Sequence, residues 1–433
     1  MAVYILCYAA AFFFSRSGHD VLSGLSLLGA AAFLYRSDYR KTGDPLHLRG
    51  LFALSFVGGE GLACLKLSWL SSSWSGMTWL SFLAGFAAFY LTFGWLEKRD
   101  GGFGLSSLTP ESVRRHSFAA CAPSLFFCAC AITAVSVGCF AVEAAALGYI
   151  PLFLQGVPHA YSYFHLTGIH YLTVSCCLVP ALSVIYFQID RGKSRRKLFF
   201  FLVLDAVSLL IPVLCVSRYQ VLFSVLLAVL VYIRMEERRL HWGYALGAVA
   251  ALVPVYVLLT VARSHDAEYL SAIFDMKWEN MPVFLAQPYM YVANNYDNFD
   301  CLVKELSGHS FGLKMLAPLW TLTGLKFLFP ALTSFPIFVT REEMTTLTYL
   351  YDAYYDFGLA GAALLSCLLG AAAYALMRLM RRVQNPVAYL LYGQFAFYML
   401  LSFFTTWFSN PSTWFYLAVT AAAAFAVSRR WGA

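Results

Sequence analysis

Long runs of apolar residues, separated by short polar and basic stretches, follow one another along almost the whole chain. A helix needs about twenty apolar residues to cross about 30 Å of hydrocarbon. By that measure the runs predict about twelve membrane-spanning helices, the first two paired as a hairpin. Their approximate limits are 2–14, 20–35, 50–70, 77–96, 117–139, 167–187, 198–215, 219–233, 243–262, 355–378, 386–407 and 411–427.

One long segment, residues 263–354, interrupts this series between the ninth and tenth predicted spans. It is too apolar for a disordered loop, since aromatic residues alternate with amides at 281–296 and stand between prolines at 315–339. This pattern predicts short interfacial or re-entrant helices. The chain is therefore expected to be all-α, a single polytopic membrane domain over 1–433, with one large loop at 263–354.

Composition and charge agree with an integral membrane protein. Hydrophobic residues make up 60% of the chain and charged residues 12%, against about 25% charged residues in soluble proteins. The net charge of +7 does not indicate nucleic acid, because 21 of the 30 lysines and arginines fall in alternate short loops. Basic residues mark the cytoplasmic side. Both termini are thus predicted inside and 263–354 outside.

Neither a metal nor a cofactor is expected. The eleven cysteines lie mostly in apolar runs, where they behave as small core residues. His159, His165 and His170 are spaced by six and five residues, which is not the i,i+4 pattern of zinc sites. The chain also carries neither a dinucleotide-binding glycine pattern nor a P-loop.

Three charged residues, Glu60, Lys66 and Asp205, fall inside apolar runs. An unpaired charge there costs at least about 2.5–3.5 kcal/mol. Hydrogen bonding between helices is the favoured explanation, and an ion pathway is the alternative.

Candidate anion ligands stand at the predicted outer face. Arg218 lies in a very short turn between two apolar helices, and Arg263 and Arg341 bracket the long loop. A guanidinium can grip a phosphate with two parallel hydrogen bonds. It can equally reach out to lipid headgroups, and the sequence leaves both roles open for Arg218.

Four short peptides resemble the bacterial O-antigen and oligosaccharide repeat-unit polymerases of the Wzy type. They are YIPLF at 149–153, GIHYL at 168–172, SR at 217–218, and TT at 345–346 followed by YDFGLAG at 355–361. The resemblance extends over roughly residues 115–380, and the order and spacing of the peptides carry it. One departure is that no arginine follows YIPLF, where only His159 and His165 stand.

The resemblance implies a GT-C-like glycosyltransferase of the bacterial inner membrane. Such an enzyme transfers a growing glycan from undecaprenyl pyrophosphate to a sugar hydroxyl of the next lipid-linked repeat unit. It would work among membrane lipids, beside a flippase and a chain-length regulator. The reaction needs cations for the departing pyrophosphate and a base for the hydroxyl.

Site residues follow from these needs. Arg218, Arg263 and Arg341 are candidates for holding the pyrophosphate. Asp356 is the favoured base, with Asp352, Glu342, His159 and His165 as alternatives, although Asp356 could instead cap the tenth helix. Aromatic faces beside amides suit sugar rings and also suit anchoring at headgroups. On that basis the candidate sugar-binding residues are Tyr291, Asn295, Tyr349 and Tyr355.

Two other functions remain open from the sequence. A polysaccharide flippase or transporter would have as many spans, but it should show two comparable halves with short loops, which this chain lacks. An O-antigen ligase, which hands the finished glycan to a lipid acceptor, has the same chemical needs as a polymerase.

Overall fold

A computed structural model of the chain describes residues 1–100, 118–154, 160–190, 194–236 and 267–429, together with Gly243 and Gly247. This part is all-helical apart from one isolated β-bridge between Ser68 and Met276. Seven of its helical segments are long and apolar enough to cross a membrane, as an α-helical membrane protein requires. They are Gly76–Arg99, Ala119–Leu147, Ile169–Ile189, Arg195–Leu214, Arg218–Met235, Tyr351–Arg382 and Pro411–Ser428.

The larger figure of about twelve spans stays a prediction. The first predicted span is a shorter apolar helix, Ala2–Arg16. The third ends early, because its helix stops at Cys64 and Lys66 takes a left-handed conformation with φ 46°. The ninth, at 243–262, lies almost wholly outside the described residues.

The chain divides into two compact units. Unit 1 comprises Met1–Leu108, Ala267–Leu379 and Tyr398–Trp414, and unit 2 comprises Thr109–Asp266, Met380–Phe397 and Phe415–Ala433. Each is described by itself below.

Unit 1 begins with a hairpin of α1 (Ala2–Arg16) and α2 (Asp20–Thr42). The Ser23 hydroxyl of α2 donates to the Ala11 carbonyl of α1. Next come α3 (Leu48–Phe52), a π-helical turn (Ala53–Val57) and α4 (Gly58–Cys64), which run as one continuous rod. Glycine allows α4 to approach α2 closely, since a Cβ on Gly24 would lie 2.7 Å from the Gly61 carbonyl oxygen.

The helix α5 (Gly76–Arg99) packs along the C-terminal long helix of unit 1, which begins at Tyr351 and ends at Leu379. A Cβ on Gly370 would lie 2.5 Å from the carbonyl oxygen of Phe89. The two backbones are therefore closer than side chains would permit, and this is a common device between membrane helices.

The long segment differs from the sequence expectation. Short helices occur there, at Ala267–Phe274 (α12), Ala317–Leu322 (α14) and Leu325–Leu328 (α15). Residues 283–305, however, form one helix of 23 residues, α13 (Val283–Glu305), and most of its C-terminal half is buried. Sequence reasoning missed it because most of the buried residues from Asn294 onward are asparagine or aspartate.

Unit 2 contains α6 (Ala122–Leu147), α7 (Ala160–Tyr163) and α8 (Ile169–Val174). A short 3-10 turn, Ser175–Leu178, joins α8 to α9 (Val179–Ile189). The remaining helices are α10 (Arg195–Leu214) and α11 (Arg218–Met235), with the greater parts of α17 (Ala388–Leu400) and α18 (Pro411–Arg429). The long helix of unit 1 (Tyr351–Leu379) is α16.

Candidate functional site

A buried carboxylate and a histidine meet at one end of unit 2. Glu143, in the last turn of α6, is fully buried and lies 3.1 Å from Nδ1 of His170, at the start of α8. The same carboxylate accepts hydrogen bonds from the Leu166 amide at 2.9 Å and the Thr173 hydroxyl at 2.7 Å. Gly148, with φ 77°, ends α6, and Gly168, with φ 85°, begins α8.

This arrangement fixes the proton on the histidine. A carboxylate can only accept, so the proton of a neutral His170 stays on Nδ1 and Nε2 has a lone pair. A carboxylate that orients a histidine in this way is the usual partner of a catalytic base. The His170 side chain is 27% exposed, so the ring is open to solvent on one side.

Two predicted site residues lie in the same part of the chain. His165 is exposed, and its ring centre is 6.4 Å from that of His170. Arg218 is partly buried and begins α11 directly after Val216 and Ser217. Val216 packs with Leu152 of YIPLF, so the peptides YIPLF and SR lie side by side in space.

The apolar support of this end comes from a second small cluster. Phe164 and Cys215 are buried together, and Tyr149 of YIPLF packs against them. Three of the peptides that carry the resemblance, YIPLF, GIHYL and SR, thus gather at one end of unit 2. His159 and Arg263, also predicted for the site, lie outside the described residues.

In unit 1, Asp356 is fully buried and holds a neighbouring turn. Its carboxylate accepts hydrogen bonds from the Ser310 hydroxyl, the Lys314 amide at 3.1 Å and the Met315 amide at 2.7 Å. Gly358, two residues on, has φ 59°, and the helix kinks there. The YDFGLAG peptide is therefore the joint at which residues 310–315 attach to α16. These contacts favour a structural role for Asp356, although not the predicted helix cap, because Asp356 lies inside α16 and bonds to another segment.

Lys314 was not predicted from the sequence, because nothing local distinguishes it from a solvated lysine. Its ammonium lies 3.4 Å from Oδ1 of Asp352 and 4.3 Å from the ring centre of Tyr355. The other oxygen of Asp352 accepts from the Ser409 hydroxyl. The Lys314–Asp352 ion pair, packed against the Tyr355 ring and bonded to Ser409, thus joins three separate stretches of unit 1.

The remaining predicted residues of unit 1 are used inside the protein. Arg341 is 35% exposed, donates to the Ala272 carbonyl at 2.7 Å and lies 3.9 Å from Asp275. Asn295 is fully buried, and Tyr349 is 3% exposed with its hydroxyl 2.8 Å from that of Ser366.

Of the predicted sugar-binding tyrosines, Tyr355 is 5% exposed and Tyr291 is only partly buried. The Tyr291 ring lies 6.1 Å from that of Phe404. Sugar binding by Asn295 or Tyr349 would require the surrounding structure to open.

Helix α13 connects these parts of unit 1 through polar side chains on two faces. Asp297 accepts hydrogen bonds from the Trp74 indole and the Ser71 hydroxyl, whereas Asn298 donates to the carbonyls of Met344 and Thr346. Burial raises the pKa of Asp297 to about 7, against the opposing effect of those two hydrogen bonds and of the charge on Lys66.

Comparison with known proteins returned nothing: no family model, no curated protein and no solved structure matches the chain. Among the described residues, no group of three or more histidine, cysteine, aspartate or glutamate side chains is arranged to hold a metal ion.

Proposed function

We propose that this protein polymerises lipid-linked oligosaccharide repeat units, with the catalytic base at His170. The observation that carries the proposal is the buried Glu143–His170 pair, which lies at the end of unit 2 where the peptides containing Tyr149 and Arg218 also gather. A base and a cation are the two groups that glycan transfer from a pyrophosphate needs. The basic-residue count predicts that this end faces outward.

The reaction follows from these groups. His170 Nε2 takes the proton of the acceptor sugar hydroxyl, whose oxygen attacks the anomeric carbon of the growing glycan. A glycosidic bond forms as the bond from that carbon to the pyrophosphate oxygen breaks. Undecaprenyl pyrophosphate leaves with the electron pair, and Arg218 stabilises its charge through a two-pronged guanidinium contact. Glu143 positions the histidine.

We place the base at His170 rather than Asp356 because every oxygen of Asp356 already accepts a hydrogen bond from residues 310–315. The finer parts of the proposal come from the family resemblance. They are a GT-C-like architecture, the bacterial inner membrane, and action beside a flippase and a chain-length regulator. The figure of about twelve spans comes instead from the apolar runs of the sequence.

The test is extension of a synthetic undecaprenyl-pyrophosphate-linked repeat unit by the purified protein, read as a ladder of products. His170→Gln should lower the rate about 10²–10⁴-fold. Glu143→Gln should lower kcat while leaving KM near its original value, since Glu143 touches the histidine and not the substrate. His309→Gln is the matched control, because Nδ1 of His309 likewise lies within hydrogen-bond distance of an oxygen, the Tyr355 carbonyl at 3.2 Å, but outside the proposed site.

Wild-type rates in His170→Gln would refute this assignment of the base and return attention to Asp356, His165 and His159. A deletion strain separates the competing functions. Loss of a polymerase leaves the lipid core bearing a single unit, loss of a ligase leaves the core bare, and loss of a flippase traps lipid-linked units inside.

A further inference from the structure

A cavity of about 550 Å³ opens in unit 1 between the α1–α2 turn, the chain after α4 and the chain before α13. Its lining includes Gly18–Leu22, Leu65–Leu67, Lys277, Trp278 and Met281. Ligand sites of small molecules and headgroups typically measure about 300–1,000 Å³. None of these residues belongs to the proposed catalytic pair or to the Asp356 joint.

The charge in this cavity is positive and poorly matched. Lys66 is 8% exposed, and its ammonium is 3.6 Å from Oδ1 of Asp20, beyond the usual range of a hydrogen bond. Lys277 adds a second ammonium, 5.4 Å from the centre of the Trp69 ring. Among the residues that line the cavity, two lysines therefore accompany one aspartate, and each ammonium has three hydrogens to donate.

Hydrogen bonds fix the backbone of the cavity wall that carries these lysines. The Leu67 amide donates to the Tyr289 hydroxyl at 2.9 Å, and the Leu67 carbonyl accepts from the Lys277 amide at 2.9 Å. The Ser68 hydroxyl donates to the Phe274 carbonyl at 2.7 Å. These bonds join the two lysine-bearing stretches, and both lysines line the same cavity. Lys66 accepts an unfavourable left-handed backbone, φ 46°, to reach its position.

The surface beside the cavity is apolar and aromatic. On α2, Val21 is 57% exposed and Leu25 is 55% exposed. They form an exposed apolar strip that begins at the cavity. Trp69 and Trp278, which flank the lysines, are 67% and 59% exposed. Exposed tryptophans of this kind are typical of the level of lipid headgroups. The first turn of α2 also has no side-chain cap at His19, and backbone amides at a helix N-terminus attract anions.

We propose that this cavity binds the phosphate group of a membrane lipid, with the lipid chain lying along α2. The phosphate oxygens accept hydrogen bonds from the Lys66 and Lys277 ammonium groups. Their negative charge balances the part of the lysines' positive charge that Asp20 alone leaves unbalanced. The chemistry shared by a lipid headgroup and free phosphate is the anionic phosphate group, and the exposed strip of Val21, Leu22 and Leu25 selects the lipid-borne form. The inference stands independently of the polymerase proposal.

The test is equilibrium binding of radiolabelled farnesyl phosphate to the purified full-length protein in dodecyl maltoside micelles. Competition with unlabelled farnesol and with inorganic phosphate separates the contributions of chain and headgroup. We expect Lys66→Gln and Lys277→Gln each to weaken farnesyl phosphate binding roughly tenfold, as the loss of a charge-assisted hydrogen bond predicts. Lys277 is exposed, so Lys277→Gln should fold normally. It keeps the test valid even if substitution of the buried Lys66 disturbs folding.

Lys326→Gln is the matched control. It removes the same charge from a lysine that also lies over an aromatic ring, at 5.3 Å from the centre of Phe327, and Lys326 does not line the cavity. Binding to Lys277→Gln as tight as to wild type would overturn the proposal. Equal competition by farnesol would show an apolar groove only, and equal competition by inorganic phosphate would show a free-anion site. Either result also overturns it.

Discussion

Replacing Asp356 by asparagine tests whether this buried carboxylate anchors residues 310–315 or acts as a base. The side chain is fully buried and accepts from three donors, two of them the amides of Lys314 and Met315. Asparagine has the same shape but only one acceptor oxygen. If that oxygen replaces Oδ1, the new NH₂ group faces the Met315 amide across the former 2.7 Å hydrogen bond.

The expected cost can be worked from these contacts. A hydrogen bond to a charged group contributes about 1.5–3 kcal/mol, and a buried donor left without a partner adds about 1–3 kcal/mol. Because the turn can relax in part, we expect Asp356→Asn to lower the free energy of unfolding by about 2–4 kcal/mol. The substitution is therefore not silent for structure, and a loss of activity in this variant does not by itself identify a base.

The same substitution at Asp297 should have the opposite effect on stability. Burial raises its pKa from the ordinary 3.8 to about 7, so the folded protein binds this proton more tightly than the unfolded chain does. The resulting stabilisation is fully present below about pH 4 and is lost as pH rises to about 7 and beyond, a change of about 4 kcal/mol. The substitution Asp297→Asn would avoid that loss, since the new amide can accept from Trp74 and donate to Ser71. At pH 8, Asp297→Asn should be more stable than wild type.

The assay is thermal unfolding of both variants in detergent at pH 8 and pH 5, followed by tryptophan fluorescence. Trp320 is a local reporter, because its indole donates to the Leu313 carbonyl within the anchored turn. Trypsin cleavage within 306–340 should be faster in Asp356→Asn alone. An unchanged unfolding temperature and cleavage rate in that variant would refute the anchor. A lower unfolding temperature for Asp297→Asn at pH 8 would refute the reasoning from burial.

Three further predictions concern other parts of the chain. Arg218→Lys should insert normally but lose most polymerisation, because lysine keeps the charge and loses the fork; near-normal glycan ladders would assign Arg218 to the membrane interface. Cysteine-accessibility mapping in a cysteine-free background should find position 304, 42% exposed at the end of α13, outside and residues 188–197 inside, and the reverse result would overturn the predicted orientation. Tyr296→Phe removes a 2.6 Å hydrogen bond from its hydroxyl to the Phe56 carbonyl in the π-helical turn and should cost about 1 kcal/mol of stability, measured by thermal unfolding; no change would show that the turn forms without this bond.

The long apolar helices could be predicted from the sequence because their signal is local. Runs such as 77–96 and 198–215 need only length and composition to identify them, and they match α5 and α10 closely. Helix α13 could not be identified in this way. Its buried Asp297 meets Trp74 and Ser71 more than two hundred positions away in the sequence, and no periodicity records such partners.

The candidate site residues show the same difference between local signals and long-range contacts. Arg218 could be selected as a cation at a helix end, and His165 as a histidine near the position where the family resemblance leads one to expect an arginine. Glu143 could not, because a glutamate in an apolar run gives no indication that His170, 27 positions later, will approach it within 3.1 Å. The peptide GIHYL drew attention to His170 through the family resemblance, but its role depends on a contact that only the folded chain shows.

A saturated polar side chain can serve a substrate only by giving up bonds it already makes, and that criterion separates the candidates. Asp356 and Asn298 hold loops through several hydrogen bonds each, so recruiting either would cost stability as well as reorganisation. His170 is different, because its Nδ1 alone is committed to Glu143 and its ring is part exposed. Lys66 is different too, because its ammonium lies 3.6 Å from the Asp20 carboxylate, beyond the usual hydrogen-bond range, and the residue lines a cavity. Substrate and lipid chemistry should therefore concentrate at these two residues, and the aspartates that first draw attention in the sequence should prove to be structural.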